Sequence, residues 1–490
     1  MPLNVTTPVC LINPPRIHPT AWGKPSVLYP MDIMYVAALL EKQHKVRIID
    51  APAEGYKNLE LIDARKYRFG LSNKQIQAEI KQFSPDVVVI TAPFLGWWKS
   101  VFEVATAAKE VDKNIVTVLI GMDPSVRPVD CLNEPNIDFV VIGEPEQGVL
   151  ELVNALTNAN SDEQLKYVKG IAFMRNKDVV ITPARPLIEN LDALPFPARH
   201  LLPMNKYFEA VKENPLRGEI SKPWVAMITS RGCPQNCIFC STRIVQGRTW
   251  RPRSPQNVLD EIEQLIQTYH IKQIDFEDGN LTYDMKRMET ICDMMIERNL
   301  DLEWFTPNGV RADRLNQTLL AKMARSGCKK IRIAPESGVQ NVVDNILKKN
   351  LDLNKVEQAT VAARKVGIGV GCFFILGAIG ETKQDMKATI AYARKLKKLG
   401  ADRFYFSYAT PLYGTELYEQ AKQGGYLRGC FSEDSLAAAE PLIETKDFTV
   451  KELQELCAEA VAVNPTFTGE KIKRALKNPR KTAKMLLSRK

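Results

Sequence analysis

The chain has 490 residues, and since a domain usually holds about 100 to 200, we expect two large domains and a smaller piece. Its composition, 45% hydrophobic and 25% charged, is typical of a globular protein, and no apolar run approaches the roughly 18 residues of a membrane helix. The start, MPLNVTTPVCLINPP, lacks the features of a signal peptide, so we predict a cytoplasmic protein.

The net charge of +9 comes from the C-terminal end of the chain. Residues 471–490 hold nine of the 66 Lys and Arg residues and no Asp or Glu, which leaves 57 basic against 57 acidic residues elsewhere. A neutral body excludes a broad basic surface, so we expect no nucleic-acid partner. The tail has two interpretations: a solvated C-terminal helix, or a segment that docks on an acidic partner or an anionic membrane surface.

Residues 1–155 alternate strand-like and helix-like segments. The apolar runs are short and rich in β-branched residues, and they fall at 9–15, 45–52, 86–93, 117–124 and 138–146. This pattern predicts an α/β, doubly wound (Rossmann-like) domain with a parallel sheet covered on both faces. No GxGxxG or GxxxxGKS motif occurs, which disfavours a dinucleotide or a nucleoside triphosphate.

Ligands of such sheets bind beyond the carboxyl ends of the strands. The residues at those ends in this sequence are Asn13, Pro14, Asp50, Thr91, Pro93, Gly121, Met122, Asp123, Gly143 and Glu144. We therefore expect these ten residues to contact the ligand of the first domain.

Residues 156–222 are richer in proline and predict a linker. Alternation then returns over 223–425, with strand-like segments at 224–230, 271–278, 302–308, 329–337, 368–377 and 403–411. Six strands, each followed by a helix, predict a partial β/α (TIM-like) barrel with its site at the carboxyl ends of the strands. Residues 426–490 predict a helical C-terminal region that ends in the basic tail.

Three cysteines follow the first barrel strand in RGCPQNCIFC: Cys233, Cys237 and Cys240. A structural zinc ion needs four ligands, and the nearest histidines, His200 and His270, are about thirty residues away. A disulfide is disfavoured by the odd number and by the compartment. An iron-sulfur cubane is normally held by four thiolates, so three cysteines would leave one iron with an open coordination position.

The other cysteines stand alone in predicted strands, helices or their ends, and we expect them to be buried free thiols. They are Cys10, Cys131, Cys292, Cys328, Cys372, Cys430 and Cys457.

The C-x3-C-x2-C motif after the first strand of a partial barrel resembles the radical S-adenosylmethionine (radical SAM) enzymes. The resemblance implies a 4Fe-4S cluster whose open iron binds the amino and carboxylate groups of S-adenosylmethionine. It also implies an external electron donor, flavodoxin or ferredoxin, because an electron from the cluster cleaves the sulfonium to a 5′-deoxyadenosyl radical.

Later strand ends resemble the same family in the same order. EDGN (277–280) is similar to the loop that meets the methionine amino group, which implies Glu277 or Asp278 as acceptor. APESG (334–338) implies that Glu336 and Ser337 contact the ribose, and FFILGAIGETKQD (373–385) places Gly377, Gly380 and Glu381 near the adenine. YATPLYGTELY (408–418) resembles the end of strand six. Each segment alone also fits ordinary turn chemistry.

A doubly wound domain, a linker of the form RPLIENLDALPFPAR and this barrel together resemble the cobalamin-binding branch of the family, its class B methyltransferases. The likeness covers roughly residues 5–425. None of the four histidines fits the Asp-x-His-x-x-Gly motif, which implies cobalamin without a histidine ligand. Two alternatives stay open: Trp97 and Trp98 either line the corrin pocket or pack in the core, and the sheet itself is either a binding domain or a vestigial one.

The leading hypothesis is a cobalamin-dependent radical SAM C-methyltransferase acting on an unactivated carbon. A protein or peptide is one candidate substrate, such as a glutamine side chain of methyl-coenzyme M reductase. By resemblance, one S-adenosylmethionine methylates reduced cobalamin and a second yields the radical that removes hydrogen from the substrate. One alternative is a cyclase or oxidoreductase of the anaerobic magnesium-protoporphyrin ester cyclase type, and another is a non-catalytic sensor of cobalamin or redox state. A methylthiotransferase is disfavoured because the first domain lacks a second cysteine trio.

Overall fold

The computed structural model describes residues 6–93, 97–157, 161–217, 219–428, 431–432, 435–436 and 439–464. The basic tail at 471–490 and the isolated Cys430 lie outside the described residues, so the predictions made for them stay predictions.

The strands, in chain order, are β1 (Pro8–Asn13), β2 (Arg16–Pro19), β3 (Lys45–Asp50), β4 (Leu59–Asp63), β5 (Lys66–Phe69), β6 (Val87–Thr91), β7 (Val116–Ile120), β8 (Phe139–Val141), β9 (Ile171–Arg175), β10 (Asp178–Ile181), β11 (Trp224–Met227), β12 (Ser230–Arg231), β13 (Arg251–Pro252), β14 (Gln273–Phe276), β15 (Glu303–Val310), β16 (Cys328–Glu336), β17 (Gly369–Leu376) and β18 (Arg403–Tyr408).

The α-helices are α1 (Met31–Leu40), α2 (Ala51–Glu54), α3 (Asn73–Phe83), α4 (Trp98–Val111), α5 (Met122–Val126), α6 (Pro128–Leu132), α7 (Pro145–Leu156), α8 (Ser161–Gln164), α9 (Met204–Glu213), α10 (Thr242–Gln246), α11 (Pro255–Tyr269), α12 (Met285–Glu297), α13 (Gln317–Arg325), α14 (Leu353–Lys365), α15 (Lys383–Leu399), α16 (Glu416–Gln423) and α17 (Val450–Val461). None of the helices in the described ranges is both long and apolar enough to cross a bilayer.

The first sheet has the order β3-β1-β6-β7-β8-β9-β10, and its first five strands run parallel. Helices α1 and α7 pack side by side, and so do α3 and α4. Along β1, Val9 and Leu11 belong to one buried cluster, whereas Cys10 and Ile12 belong to another. Because successive side chains point to opposite faces, both faces of the sheet are covered, which confirms the doubly wound domain.

Two features of this region are absent from the sequence analysis. Strands β9 and β10 extend the sheet as an antiparallel hairpin to Ile181, inside the segment predicted as a linker. A three-stranded antiparallel sheet, β2-β5-β4, is formed by segments that follow β1 and β3. The sequence does not predict the hairpin or the small sheet because their strands are short and β4 is exposed along most of its length. Neither feature therefore gives a long apolar run.

The second sheet consists of β11-β14-β15-β16-β17-β18 in chain order, all parallel. These six strands confirm the predicted partial barrel. Each strand but the last is followed by one of the amphipathic helices α11 to α15, whose buried residues recur at helical spacing. The segment before α1 contacts the barrel sheet through Tyr29, which stacks on Tyr207 of α9 at 4.1 Å and donates a hydrogen bond to the carbonyl oxygen of Trp224 in β11 at 2.8 Å.

Candidate functional site

The three predicted cysteines lie on one loop beyond the first barrel strand. The loop, residues 232–250, is closed at its base by β12 and β13, in which Arg231 is the direct partner of Arg251. Gly232 has a φ of +81°, and a Cβ atom there would lie 2.1 Å from the carbonyl oxygen of Thr249. Only glycine therefore fits immediately before the first cysteine.

The middle of the loop is tied to two later strand ends. The main-chain N–H of Ile238 donates to the Leu347 carbonyl at 3.2 Å, and the N–H of Leu417 donates to the Ile238 carbonyl at 3.0 Å. The Ile238 side chain is fully buried. The polypeptide between the second and third cysteines is thus fixed to the segments that follow β16 and β18.

The three thiols are free, with Cys237 buried and Cys233 and Cys240 partly exposed. Burial raises the pKa of the Cys237 thiol to about 11, so a nearby cation such as iron is needed to form its thiolate at neutral pH. Within the described ranges, no three His, Cys, Asp or Glu side chains gather tightly enough to share one metal ion. Three separate thiols on one loop are the donor set that an iron-sulfur cluster uses, with one thiolate per iron.

Asn280 lies beside the first thiol. Its Nδ2 donates to the Sγ of Cys233 at 3.8 Å, and the Asn280 carbonyl accepts from Nε1 of Trp250 at 3.1 Å. The side-chain oxygen of Asn280 is buried and has no hydrogen-bond partner among the described atoms. The sequence analysis assigned a role in EDGN only to its carboxylates, as acceptors for S-adenosylmethionine. The asparagine amide is, however, the side chain of that motif that can donate a hydrogen bond to sulfur.

Glu277 and Asp278, the predicted acceptors for S-adenosylmethionine, differ in their surroundings. Asp278 is buried, and its carboxylate accepts from Thr229 N at 3.1 Å, Thr229 Oγ1 at 2.8 Å and Ser230 Oγ at 2.6 Å. It therefore braces the chain just before the cysteine loop, and burial raises the pKa of this carboxyl. Glu277 is less buried and accepts from the Arg217 guanidinium at 3.3 Å.

Glu336 and Ser337 follow the fourth barrel strand. Glu336 has a φ of +65°, a left-handed conformation that residues other than glycine rarely adopt, and its Oε1 accepts from Nζ of Lys349 at 2.7 Å. Ser337 is fully buried, and its hydroxyl lies 2.9 Å from that of Thr389. The Ser337 hydroxyl is thus hydrogen-bonded to a residue of α15. Glu336 has a strained main-chain conformation and forms a buried ion pair with Lys349.

The segment from Gly377 to Glu381 forms a turn after the fifth barrel strand. Gly377 and Gly380 have φ values of +84° and +92°, which suit glycine. Glu381 Oε2 accepts from Gly377 N at 2.8 Å and Ala378 N at 3.1 Å. Burial raises the pKa of Glu381 to about 8, so this carboxyl is largely protonated at neutral pH inside the fold.

The ten residues expected to contact a ligand of the first domain gather at the carboxyl edge of its sheet. Asn13, Asp50 and Thr91 end β1, β3 and β6. Pro14 and Pro93 follow the first and third of these strands, and Gly121, Met122, Asp123, Gly143 and Glu144 follow β7 and β8.

Most polar groups at this edge bind other protein groups. Asp50 accepts from Nδ2 of Asn13 at 2.8 Å and from the Tyr207 hydroxyl, and burial raises the pKa of Asp50. The Thr91 hydroxyl donates to Asp32, so strand ends and flanking helices are joined here by side-chain hydrogen bonds.

The loops after β7 and β8 are joined in the same way. Asp123 pairs with Arg127 at 3.1 Å, and the Gly143 N–H donates to Ser125 Oγ at 3.0 Å. Glu144 is buried and pairs with Arg231 of β12 and Arg251 of β13, the two residues that flank the loop 232–250, which we call the cysteine loop. The Met122 and Pro93 side chains are partly exposed at this edge.

Arg16 is a buried residue at this edge that sequence reasoning missed. Its guanidinium lies over the Trp97 ring at 5.0 Å and donates to the carbonyl oxygens of Ser26 and Leu28 at 3.2 and 3.4 Å. Its Nε is buried and has no hydrogen-bond partner among the described atoms. Trp98 is packed against Phe102 at 4.3 Å, as expected for a core residue. In the sequence, the one feature that could have pointed to Arg16 is a charged residue directly after a strand and two prolines.

Outside this loop, the described cysteines are free and isolated, as predicted. Five are buried and one is partly exposed, and burial raises the pKa of each: Cys10, Cys131, Cys292, Cys328, Cys372 and Cys457.

Comparison with known proteins yields two family matches. The model of the radical SAM superfamily matches residues 227–393, and the model of the B12 binding domain matches residues 25–153. The first match contains all three clustered cysteines, and the second contains most of the first sheet.

Individual relatives agree with these matches. The chain is 34% identical over 433 residues to the cytidylyl-2-hydroxyethylphosphonate methyltransferase of Streptomyces wedmorensis, covering 82% of this chain and 79% of that protein. It is 30% identical over 347 residues to the anaerobic magnesium-protoporphyrin IX monomethyl ester cyclase of Rubrivivax gelatinosus, covering 70% and 60%. The solved structure of the radical S-adenosylmethionine methyltransferase TsrM from Kitasatospora setae, with cobalamin and a [4Fe-4S] cluster bound, aligns with a TM-score of 0.67 at 16% identity over 87% and 80%. That likeness shows a common fold.

Proposed function

The chain belongs to the family of cobalamin-dependent radical SAM methyltransferases, and from this we propose that it transfers a methyl group to an unactivated carbon. The observation that carries the proposal is the loop 232–250, which presents three free thiols at the carboxyl end of a partial barrel. A second sheet edge, matched by the B12 binding model, lies against the same loop through Glu144.

Cys233, Cys237 and Cys240 would hold a [4Fe-4S] cluster, and the missing fourth thiolate would leave one iron for S-adenosylmethionine. When bound, the cluster supplies the electron that cleaves the sulfonium to a 5′-deoxyadenosyl radical. The protein fixes the thiols by the loop contacts described above, and the Asn280 amide donates to the Cys233 sulfur. Hydrogen bonds to cluster sulfurs tune the reduction potential, so we assign that role to Asn280.

S-adenosylmethionine would lie along the barrel strand ends. Glu277 is the more accessible of the two acidic candidates, since Asp278 is buried and saturated by hydrogen bonds from Thr229 and Ser230. In the Gly377–Glu381 turn, a ligand could come close to the main chain at Gly380, because a Cβ atom placed there would contact Ile346 alone, at 3.5 Å. Glu336 and Ser337 complete the proposed set, with Glu336 held in position by Lys349.

Cobalamin would bind at the carboxyl edge of the first sheet, among the ten strand-end residues already named. When bound, it carries the methyl group between S-adenosylmethionine and the substrate. Arg16, whose buried Nε lacks a partner in the described structure, and the Trp97 ring beside it add a polar and an aromatic group to this edge. His44 and His200 are hydrogen-bonded to Asn154 and Glu41, and His270 follows α11 of the barrel, whereas His18 has a buried Nε2 without a hydrogen-bond partner among the described atoms.

The proposal also concerns the identity of the substrate and of the electron donor. A glutamine side chain of methyl-coenzyme M reductase is one example of a protein substrate that fits this proposal, and flavodoxin or ferredoxin is the proposed electron donor. Methyl transfer is favoured over cyclisation because the methyltransferase relative is matched at higher identity and over more of its length than the cyclase.

The test uses anaerobically reconstituted protein with reductant, cobalamin, S-adenosylmethionine carrying a deuterated methyl group, and extracts of a strain that lacks the gene. A C-methyltransferase should form S-adenosylhomocysteine and 5′-deoxyadenosine together and transfer the deuterated methyl group to one extract component. 5′-Deoxyadenosine without S-adenosylhomocysteine would favour the cyclase type. Formation of neither product would favour a sensor.

A further inference from the structure

Two buried arginines at the base of the cysteine loop bind one carboxylate of the first domain. Arg231 and Arg251 face each other in β12 and β13, so they mark the two ends of the loop 232–250. Glu144 follows β8 and forms the N-cap of α7. The side chains of Arg231, Arg251 and Glu144 are 7%, 6% and 3% exposed, so the whole contact is shielded from water.

Both oxygens of Glu144 are used. Oε1 accepts from Arg231 Nη1 at 3.2 Å and Arg251 Nη2 at 2.9 Å, whereas Oε2 accepts from Arg251 Nη1 at 3.0 Å and Ile188 N at 2.8 Å. The pairing with Arg251 is therefore bidentate, which fixes direction as well as distance. Glu146, in the first turn of the same helix, accepts from Arg231 Nη2 at 2.5 Å.

Such a cluster is more than a source of stability. Well-packed apolar side chains of similar size often stabilise a fold as much as a buried ion pair does, because the ions lose their hydration. What a bidentate, charge-assisted contact adds is a fixed geometry between the groups it joins. Here it joins both ends of the loop that carries the three thiols to the edge of the first sheet.

We propose that Glu144 is a positioning residue, which holds the cysteine loop, and through it the cluster, in a fixed place relative to the first domain. The inference rests on the proposed function, since it takes the three thiols as cluster ligands. Groups that exchange a methyl or a radical must be placed within a fraction of an ångström, and small misplacements lower rates strongly. The role differs from the ligand contact expected for Glu144 from its place at a strand end.

The chain offers a matched control in a second buried cluster of the same chemistry. Glu261 of α11 accepts from Arg199 Nη1 at 2.5 Å and from the Arg253 guanidinium. Its side chain is 1% exposed, and those of Arg199 and Arg253 are 3% and 5% exposed. This cluster joins the interdomain segment and Arg253, the residue after β13, to α11, and Glu261 itself contacts neither Arg231 nor Arg251.

The experiment compares full-length wild type, Glu144→Gln and Glu261→Gln after anaerobic reconstitution. Thermal unfolding, iron content, the rate of S-adenosylmethionine cleavage and the electron paramagnetic resonance (EPR) spectrum of the reduced cluster, with and without S-adenosylmethionine, are measured. Both variants should unfold at lower temperature than wild type. Only Glu144→Gln should change the cluster spectrum and slow cleavage, by about tenfold to a hundredfold.

Arg251→Lys is the second variant, because it keeps the charge and removes the bidentate contact. It should change the spectrum in the same direction as Glu144→Gln, and it serves alone where Glu144→Gln does not fold. A wild-type spectrum and rate in these variants, or equal changes in Glu261→Gln, would overturn the positioning role while leaving the proposed function intact. A wild type without cluster or cleavage would overturn the proposed function and this inference together.

Discussion

The carboxyl ends of the two parallel sheets use their polar side chains in different ways. At the barrel, the side-chain hydrogen bonds of the Cys233 and Cys240 thiols within the described part of the chain are those with Asn280 and Thr242, which leaves both thiols available to a metal. At the first sheet, the carboxylates of Asp50, Asp123 and Glu144 are each bound by protein donors. The barrel strand ends thus combine free thiols on a loop with braced carboxylates such as Asp278 and Glu336, whereas the three named carboxylates of the first sheet are all braced.

This difference bears on how each domain binds its cofactor. A thiol on a loop has few good protein partners and keeps its capacity for iron, whereas a buried carboxylate must be paired to be tolerated. We therefore expect the first sheet to hold its ligand mainly through main-chain and apolar groups and through Arg16 and Trp97. The strand-end carboxylates should then matter for stability.

The largest expected effect is at the cysteine loop. Replacing Cys233, Cys237 or Cys240 by Ala should each abolish the cluster absorbance at about 400 nm in anaerobically purified protein, because each of the three thiolates binds a different iron and the loss of one leaves only two to hold the cluster. Cys292→Ala and Cys328→Ala, at buried isolated thiols, are the controls and should keep the absorbance. Equal loss in either control would place the cluster elsewhere.

The next effect tests the first sheet. Asp50→Ala should lower the free energy of unfolding by about 3 kcal/mol in urea titrations, because Asn13 and Tyr207 would lose their buried acceptor. Asp301→Asn, at a side chain that is 92% exposed and paired with Lys272, should leave the free energy of unfolding almost unchanged. If Asp50→Ala weakens cobalamin binding without loss of stability, Asp50 contacts the ligand. The difference drawn between the carboxyl ends of the two sheets would then be wrong.

These contrasts show what the sequence can predict. The alternation of apolar runs with helices predicts both sheets, and the barrel strand that begins at Arg403 is observed where it is expected. The cysteine spacing predicts the loop because the three thiols are close in sequence. Tyr207 lies 157 residues from Asp50, and the two arginines that bind Glu144 lie 87 and 107 residues from it, and no local pattern encodes such distant contacts.

Missed elements have a similar cause. The hairpin β9–β10 turns through Asn176 and Lys177, both at positive φ, and its second strand is only partly buried, so its apolar pattern is weak. Arg16 belongs to no motif and Asn280 is the non-acidic end of EDGN, and the importance of both comes from the groups that the fold brings beside them.

A smaller effect is expected from Glu381, which the sequence placed near the adenine. Its pKa is about 8 in the fold against 4.5 as its ordinary value, so the unfolded chain loses this proton first as pH rises. Stability should therefore fall between about pH 4.5 and pH 8, with little contribution from this group below that window. Glu381→Gln keeps an oxygen that accepts from Gly377 and Ala378 and should flatten this slope in thermal unfolding scans. An unchanged slope would show that Glu381 is ionised in the native protein.

The smallest expected effect concerns the cobalt. Of the described histidines, His18 is the one with a buried Nε2 that has no hydrogen-bond partner, and it lies on β2, shortly after the end of β1. Burial and the nearby Arg16 charge lower the pKa of His18 to about 4, so its imidazole is neutral at pH 7 and chemically able to bind a metal. It is therefore the residue at which the prediction of cobalamin without a histidine ligand can fail.

We nevertheless expect no cobalt ligand here, because the His18 ring packs edge-on against Trp22 at 5.7 Å, and Trp22 is 65% exposed to solvent. EPR spectra of the cob(II)alamin form should lack nitrogen splitting on the cobalt lines, and His18→Ala should leave them unchanged. Splitting that disappears in His18→Ala would make His18 the ligand. Splitting that persists in that variant would point to the cofactor's own base or to another nitrogen, and in either case the first-sheet edge would supply or admit a cobalt ligand after all.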